Sequence, residues 1–294
     1  MKKNILWTAL ITPMNNDGSI DFQSLANLLK EQEQANNGIL ILGSTGEALN
    51  LSDKEKKEIV EFAISLKLKS SLMCGVGGIN LPETLKWCEY LETKKIDCYL
   101  MVTPLYSKPG PKGQYHWFKT LMDNVTRPCM LYNIPGRTGK ILEHKSVQQL
   151  VGHKNFWAIK EASGLPLEFQ KYVDDGQGKI EVYSGDDGLL PAYFPLGAKG
   201  LVSVASNPWP IETHHWVQKV LENKATLAEV HLWEKCVNAL FLASNPIPAK
   251  ILMYQTKKIN SPTLLPPLTH EEIENAAPLL EANKKIQNWY KDQK

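Results

Sequence analysis

Short apolar runs alternate with amphipathic stretches along most of the chain. Leu6 to Thr12 is an apolar run closed by Pro13, and Gly38 to Leu42 is continuous. A run with no polar alternation suits a strand buried on both faces. Similar runs are Leu72 to Gly75, Cys98 to Val102, Met130 to Asn133, Phe156 to Lys160, Glu181 to Ser184 and Gly200 to Ala205. Helical patterns lie between them. Phe22, Leu25, Leu28 and Leu29 share one face, as do Ile59, Phe62, Ala63 and Leu66. Ser52-Asp53-Lys54-Glu55 predicts a capping box, in which Ser52 and Glu55 satisfy each other's end of the helix start.

Eight strands alternating with helices predict βαβ units around a parallel sheet. Eight such units close naturally into an α/β (β/α)₈ TIM barrel, typically about 250 residues long. The pattern places that barrel over 1–225, with a C-terminal helical extension packed on it over 226–294. In the extension, Leu227, Val230, Trp233, Val237 and Leu240 recur at helical spacing. A doubly wound open sheet is the alternative fold, because one sequence does not prove closure.

Composition narrows the class. The 294 residues are 43% hydrophobic and 22% charged, near globular averages, which excludes a disordered chain, a collagen-like repeat and a disulfide miniprotein. The net charge of +2 carries no basic footprint for nucleic acid. No apolar run approaches the roughly 20 residues of a membrane helix, so no membrane partner is expected. Lys2 and Lys3 before Ile5 to Ile11 imitate the start of a signal peptide. Thr8 interrupts that run, Pro13 follows it, and Asn15-Asn16-Asp17-Gly18 offers no cleavage site, so secretion is not expected. Cys74, Cys88, Cys98, Cys129 and Cys236 are scattered and form no C-x-x-C pair. They suit buried thiols in a reducing compartment, hence a cytoplasmic protein.

Barrel chemistry sits at the C-terminal ends of the strands. The second strand ends in Ser44 and Thr45, the fourth near Tyr106, and the fifth in Tyr132, Asn133 and the loop Ile134-Pro135-Gly136-Arg137-Thr138-Gly139. The sixth ends in Lys160-Glu161-Ala162-Ser163-Gly164 and the seventh in Ser184-Gly185-Asp186-Asp187. Lys160 leaves the apolar Trp157-Ala158-Ile159. Desolvation there favours the neutral amine, which attacks a carbonyl to form a Schiff base. Position alone fits an exposed strand-end lysine with a buried stem better; the neighbours shift the balance. Tyr132 is a candidate acid/base, or a packed aromatic with a satisfied hydroxyl. Ser44 and Tyr106 extend a hydroxyl relay. Gly43 and Gly46 let the backbone approach a small anion, and Thr45 holds a carboxylate; turn or cap roles also fit Ser44 and Thr45. Arg137 suits bidentate carboxylate binding, or a surface ion pair.

Other motifs carry less. Gly75-Val76-Gly77-Gly78-Ile79-Asn80 lacks the last glycine of a dinucleotide loop. Asp186 and Asp187 precede a helix and are expected to cap it. His214-His215 has no third ligand in view. No metal is expected.

These motifs together resemble the dihydrodipicolinate synthase family, among the pyruvate-dependent lyases and aldolases. The likeness runs from Leu10-Ile11-Thr12-Pro13 through Gly43 to Glu47, Tyr132 to Gly139, Ile159 to Gly164 and Ser184 to Asp187, to Asn245-Pro246-Ile247-Pro248-Ala249-Lys250. The resemblance implies that Lys160 forms an imine with pyruvate and that Tyr132 gives and takes the proton. It implies a relay through Ser44 and Tyr106, and pyruvate binding by Thr45 and the Val202 backbone. Arg137 would take the carboxylate of aspartate semialdehyde, with Gly185 among the substrate-binding residues. It further implies no cofactor beyond the covalent imine, and a homotetramer built as a dimer of dimers, with Tyr106 reaching across an interface.

Two departures stand out. Ser44 replaces the usual threonine and loses the methyl that restricts its rotamer. Ile79 and Leu105 replace the asparagine and tyrosine of the lysine-effector pocket, while Glu83 remains, so feedback by lysine is expected to be weak or absent. Two other functions compete. One is a lyase releasing pyruvate from a 2-keto-3-deoxy sugar acid or sialic acid, against which Arg137 argues. The other is a catalytically silent keto-acid sensor, against which Lys160, Tyr132 and Tyr106 argue.

Overall fold

The computed structural model describes residues 4–293. Lys2 and Lys3, which open the signal-like stretch, lie outside the described residues. In chain order the elements are β1 (Leu6–Ala9), α1 (Phe22–Gln34), β2 (Gly38–Ile41), α2 (Asp53–Ser65), β3 (Leu72–Val76), α3 (Leu81–Glu92), β4 (Cys98–Val102), α4 (Pro111–Asp123), β5 (Cys129–Asn133), α5 (Pro135–Thr138), α6 (His144–Leu150), β6 (Phe156–Glu161), α7 (Pro166–Asp175), β7 (Glu181–Ser184), α8 (Leu190–Tyr193), β8 (Leu201–Ser203), α9 (Pro210–Leu221), α10 (Leu227–Ala239), α11 (Ile247–Gln255) and α12 (Ala277–Lys291). The strands follow one another in hydrogen-bonded order and close from β8 to β1, so the sheet is a closed barrel and not the open doubly wound alternative. Parallel strands separated by helices give the (β/α)₈ pattern that the apolar runs predict.

Two strands end two or three residues short of the sequence reading, and the other strand ends agree with it to within one residue. β1 stops at Ala9, and Leu10 to Thr12 lie beyond it. There the Asn207 side chain takes over, its Oδ1 accepting the Ile11 N–H at 2.9 Å and its Nδ2 donating to the Ala9 carbonyl at 2.9 Å. β8 stops at Ser203, because Ser203 Oγ accepts the Ser206 N–H and the chain turns. The predicted capping box at Ser52 and Glu55 is present.

The chain divides into two compact units. The unit over Leu72–Val202 carries β3 to β7 and the start of β8. Its core includes Tyr99, Phe118, Leu131, Ile159, Phe169 and Tyr183, all fully buried.

The other unit joins the described parts of Lys3–Ser71 and Ser203–Lys294. Its core is rich in tryptophan. Trp216 stacks on Trp233 at 5.2 Å, and Trp209 and Trp289 meet Trp233 edge-on at 6.4 and 5.3 Å. Such pairs add attraction beyond the area they bury. They join α9, α10 and α12. The buried residues of α10 are Trp233, Cys236, Val237 and Ala239, whereas Leu227 at its start is 70% exposed. All five cysteines are free and buried.

Glu229 ties these helices together. One carboxylate oxygen accepts the Thr226 N–H and hydroxyl, both at 2.8 Å, closing a capping box on α10. The other accepts from Trp289 Nε1 at 3.0 Å and pairs with Lys219. Burial pushes the carboxyl up, but the bonds from Lys219, Thr226 and Trp289 outweigh it and hold Glu229 at about 2, below its ordinary 4.5. A depressed carboxyl stabilises the fold above its unfolded pKa and loses that contribution as pH falls through the folded one. Glu229→Gln is therefore expected to lower Tm by roughly 3–6 °C at pH 7. The gap from wild type should close between pH 4.5 and about 2. A thermal melt series in which the gap is absent at pH 7, or constant with pH, overturns this.

Candidate active site

Tyr132 on β5 and Lys160 on β6 are partners in the parallel register. In-register residues on neighbouring strands share a face, so both side chains project the same way. The Lys160 Nζ lies 4.3 Å from the centroid of the Tyr132 ring, over the face that attracts cations. Both residues are buried. Gly185, just beyond β7, completes this corner. A Cβ there would sit 2.9 Å from Lys160 Cε, 2.7 Å from Ala162 Cβ and 3.0 Å from the Glu161 carbonyl. The lysine stem occupies the room a side chain would need.

The next residues on the two strands, Asn133 and Glu161, face the other side and are fully buried. Asn133 Nδ2 donates to Glu161 Oε2 at 2.5 Å, and the Leu142 N–H donates to Asn133 Oδ1 at 2.7 Å. This fastens the segment between β5 and α6. Gln114 on α4 fastens it again, donating to the Ile141 carbonyl at 2.8 Å and accepting the Glu143 N–H at 2.8 Å. Within the segment, α5 is a single turn ended by Gly139 at φ +70°, a left-handed position that suits glycine. Arg137 lies in that turn and is exposed. Tyr106 follows β4 on a loop at φ +59° and is 88% exposed. Val202 is buried in β8.

In the other unit, Ser44 and Thr45 follow β2 in a series of turns. Ser44 is half-buried and Thr45 buried. Asn245 Nδ2 donates to Thr45 Oγ1 at 2.9 Å. Glu47, at φ +56°, is held by a fully buried pair with Lys250 Nζ at 2.5 Å and by the Leu265 N–H at 2.7 Å. Lys250 also donates to the Thr263 carbonyl at 2.8 Å. Burial pushes the Lys250 ammonium down, opposed by Glu47. Gly46 has a packing reason to be glycine: a Cβ there would meet the Leu10 carbonyl at 3.1 Å.

Asp186 and Asp187 do not cap α8, whose first turn has no side-chain cap. Asp186 Oδ1 instead accepts the Gly188 N–H at 3.0 Å and shapes the turn, three residues too early for a cap. Burial pushes its carboxyl up. His214 Nδ1 meets Asn37 Oδ1 at 2.8 Å. Among the described residues, no group of three or more His, Cys, Asp or Glu side chains stands ready for a metal. None of their helices is long and apolar enough to cross a membrane. A cavity of about 410 Å³ near Tyr254, Thr263 and His270 contains none of the sequence-predicted site residues.

The dihydrodipicolinate synthetase family matches residues 2–285. The chain belongs to this family of enzymes. It is 44% identical over 287 residues to the 4-hydroxy-tetrahydrodipicolinate synthase of Francisella tularensis subsp. novicida, covering 98% of this chain and 97% of that one. It is 43% identical over 290 residues to the enzyme of the same name from Wolbachia pipientis wMel, covering 98% of both. Among solved structures, the chloride-inhibited dihydrodipicolinate synthase of Acinetobacter baumannii, complexed with pyruvate, superposes with a TM-score of 0.89 at 29% identity. That match covers 97% of this chain and 99% of the other.

In this synthetase-family chain the structure brings Tyr132, Lys160 and Gly185 together, and sets Arg137 five residues beyond Tyr132 on a fastened segment. The sequence reading gave no holding role to Asn133, Glu161 and Gln114, which fasten the segment that carries Arg137, or to Asn245, Glu47 and Lys250, which fasten the turn at Thr45. A signal did exist for two. Asn133 and Glu161 each follow a candidate catalytic residue in an apolar strand, and a buried polar group there needs a partner.

Gly185→Ala tests the packing at the lysine. Moving Lys160 Cε aside is expected to slow borohydride trapping of pyruvate on Lys160 by about 10–100-fold. Mass spectrometry of the labelled peptide reads the rate, and trapping at the wild-type rate overturns the packing argument.

Proposed function

We propose that this chain condenses pyruvate with L-aspartate semialdehyde to give 4-hydroxy-tetrahydrodipicolinate, through an imine on Lys160. The observation that carries the proposal is the buried Lys160 amine lying over the Tyr132 ring at paired strand ends, in a member of this family. The amine adds to C2 of pyruvate, and water leaves as the imine forms. Loss of a C3 proton gives the enamine. C3 then attacks the aldehyde carbon, and the aldehyde oxygen takes up a proton. The substrate's amino group attacks the imine carbon and expels the lysine amine as the ring closes. The imine is the electron sink, so the scheme calls on no cofactor.

The other residues receive roles that suit their surroundings. Tyr132 moves protons at the imine and carbinolamine. Thr45 Oγ accepts from Asn245, which leaves its own hydrogen to donate to the pyruvate carboxylate; the Val202 backbone and Gly185 are assigned to the same substrate. Arg137, exposed on its turn, takes the carboxylate of the aldehyde substrate. Ser44 and Tyr106 form the relay. Tyr106, 88% exposed in the single chain, would be covered by a second copy, within a homotetramer. Five free thiols suit a cytoplasmic setting.

The test is turnover with pyruvate and aspartate semialdehyde, coupled to an NADPH-dependent reductase of the cyclic product. Wild type should turn over. Lys160→Ala should lose at least about 10³-fold in kcat, the scale on which a covalent catalyst's removal is felt. Pyruvate release from N-acetylneuraminate or a keto-deoxy sugar acid, with no condensation, would move the chain to the lyases.

Lysine is expected to inhibit weakly or not at all. Ile79 is 57% exposed and cannot hydrogen-bond an effector. Glu83, at the start of α3, is already paired with Lys86 at 2.9 Å. Titration of L-lysine into the same assay should lower the rate little or not at all, and strong inhibition at low lysine concentration overturns the expectation.

A further inference from the structure

Asn133 and Glu161 take no part in the chemistry above, yet both are fully buried one step beyond the reacting pair. Their hydrogen-bond directions are forced. The Leu142 N–H occupies Asn133 Oδ1, so the amide must present Nδ2 to Glu161. The Ser163 N–H donates to the other carboxylate oxygen, Glu161 Oε1, at 2.7 Å. Glu161 therefore receives a donor on each oxygen, which a carboxylate satisfies and a carboxamide does not. Burial pushes its carboxyl up, and the bonds from Ser163 and Asn133 oppose that. Three pieces of backbone converge on the pair: the Lys160 strand end, the loop after it at Ser163, and the end of the Arg137 segment at Leu142.

We propose that the Asn133–Glu161 bridge is a positioning pair for the reaction, holding the ends of β5 and β6 so that the Lys160 amine stays over Tyr132 and the Arg137 segment stays closed. The inference rests on the imine chemistry proposed for Lys160.

A reciprocal exchange tests it. In Glu161→Gln, the new Nε2 must face one of two donors, Ser163 N–H or Asn133 Nδ2. In the double variant N133D/E161Q every group is matched again. The new aspartate accepts from Leu142 N–H and from the new glutamine, and that glutamine's Oε1 accepts from Ser163 N–H. Four proteins are compared: wild type, E161Q, N133D and the double variant. The readouts are the rate of borohydride-trapped pyruvate on Lys160, kcat, KM for the aldehyde substrate, and Tm.

Both single variants are expected to trap pyruvate about 10–100-fold more slowly at temperatures well below their Tm, with KM for the aldehyde raised. The double variant should return to within about threefold of wild type. The inference fails if the double is no better than the worse single variant, or if the singles lose Tm while trapping at the wild-type rate. Wild type that traps pyruvate but does not condense it would sink the synthase reading alone, and the four trapping rates would still decide the role of the pair. Wild type that traps nothing sinks both.

Discussion

The arrangement of the candidate site depends on the register between β5 and β6. The pairing runs Cys129 with Phe156, then skips Trp157 and resumes with Met130 opposite Ala158. Side chains alternate along a strand, so one extra residue exchanges the two faces. Without the skip, Tyr132 would lie beside Ile159, and Lys160 would join the row of Asn133. The amine over the tyrosine ring is thus a consequence of an irregularity three residues upstream. Trp157 is accommodated there by a bond from its indole Nε1 to Glu181 Oε2 at 3.2 Å and an edge contact with Tyr183.

In the other unit the fixed point is a charge pair. Glu47 carries a left-handed backbone, which costs roughly 1–2 kcal/mol for a residue with a Cβ. Its carboxylate is inaccessible, as is the Lys250 ammonium. Burying two charges gives little net stability, because desolvation offsets their attraction. Each is satisfied further, Glu47 by the Leu265 N–H and Lys250 by the Thr263 carbonyl. Together with the Asn245–Thr45 bond, this ties the turn after β2 to α11 and to the chain beyond it. The structural return is a defined place for the Thr45 hydroxyl.

Much of this was legible in the sequence, for a physical reason. Parallel strands are buried on both faces and read as unbroken apolar runs, so their number and order follow from the runs alone. The polar residues that interrupt those runs at one end, Tyr132, Lys160 and Ser184 among them, mark where the strands stop. What remained hidden depends on pairing between distant segments. The skip at Trp157 leaves no local mark, since Trp157 suits any strand. Asp186 carries a cap-like signature, but whether it caps or shapes a turn is decided by where α8 begins. Asn207 ends β1 by replacing a strand partner from 198 residues away, which no window on the chain contains.

The same consideration explains why polar residues sit where apolar ones would pack as well. Hydrophobic content cannot set the register of β5 against β6, because Leu131, Met130, Ala158 and Ile159 are all buried and any of them can face any other. A slip by one residue would cost these side chains little. It would cost Asn133 and Glu161 a great deal, since each would lose its partner in a place water does not reach, at about 1–3 kcal/mol apiece. The apolar residues supply the cohesion and the polar pair chooses among the ways of achieving it. That choice is what brings Lys160 to Tyr132.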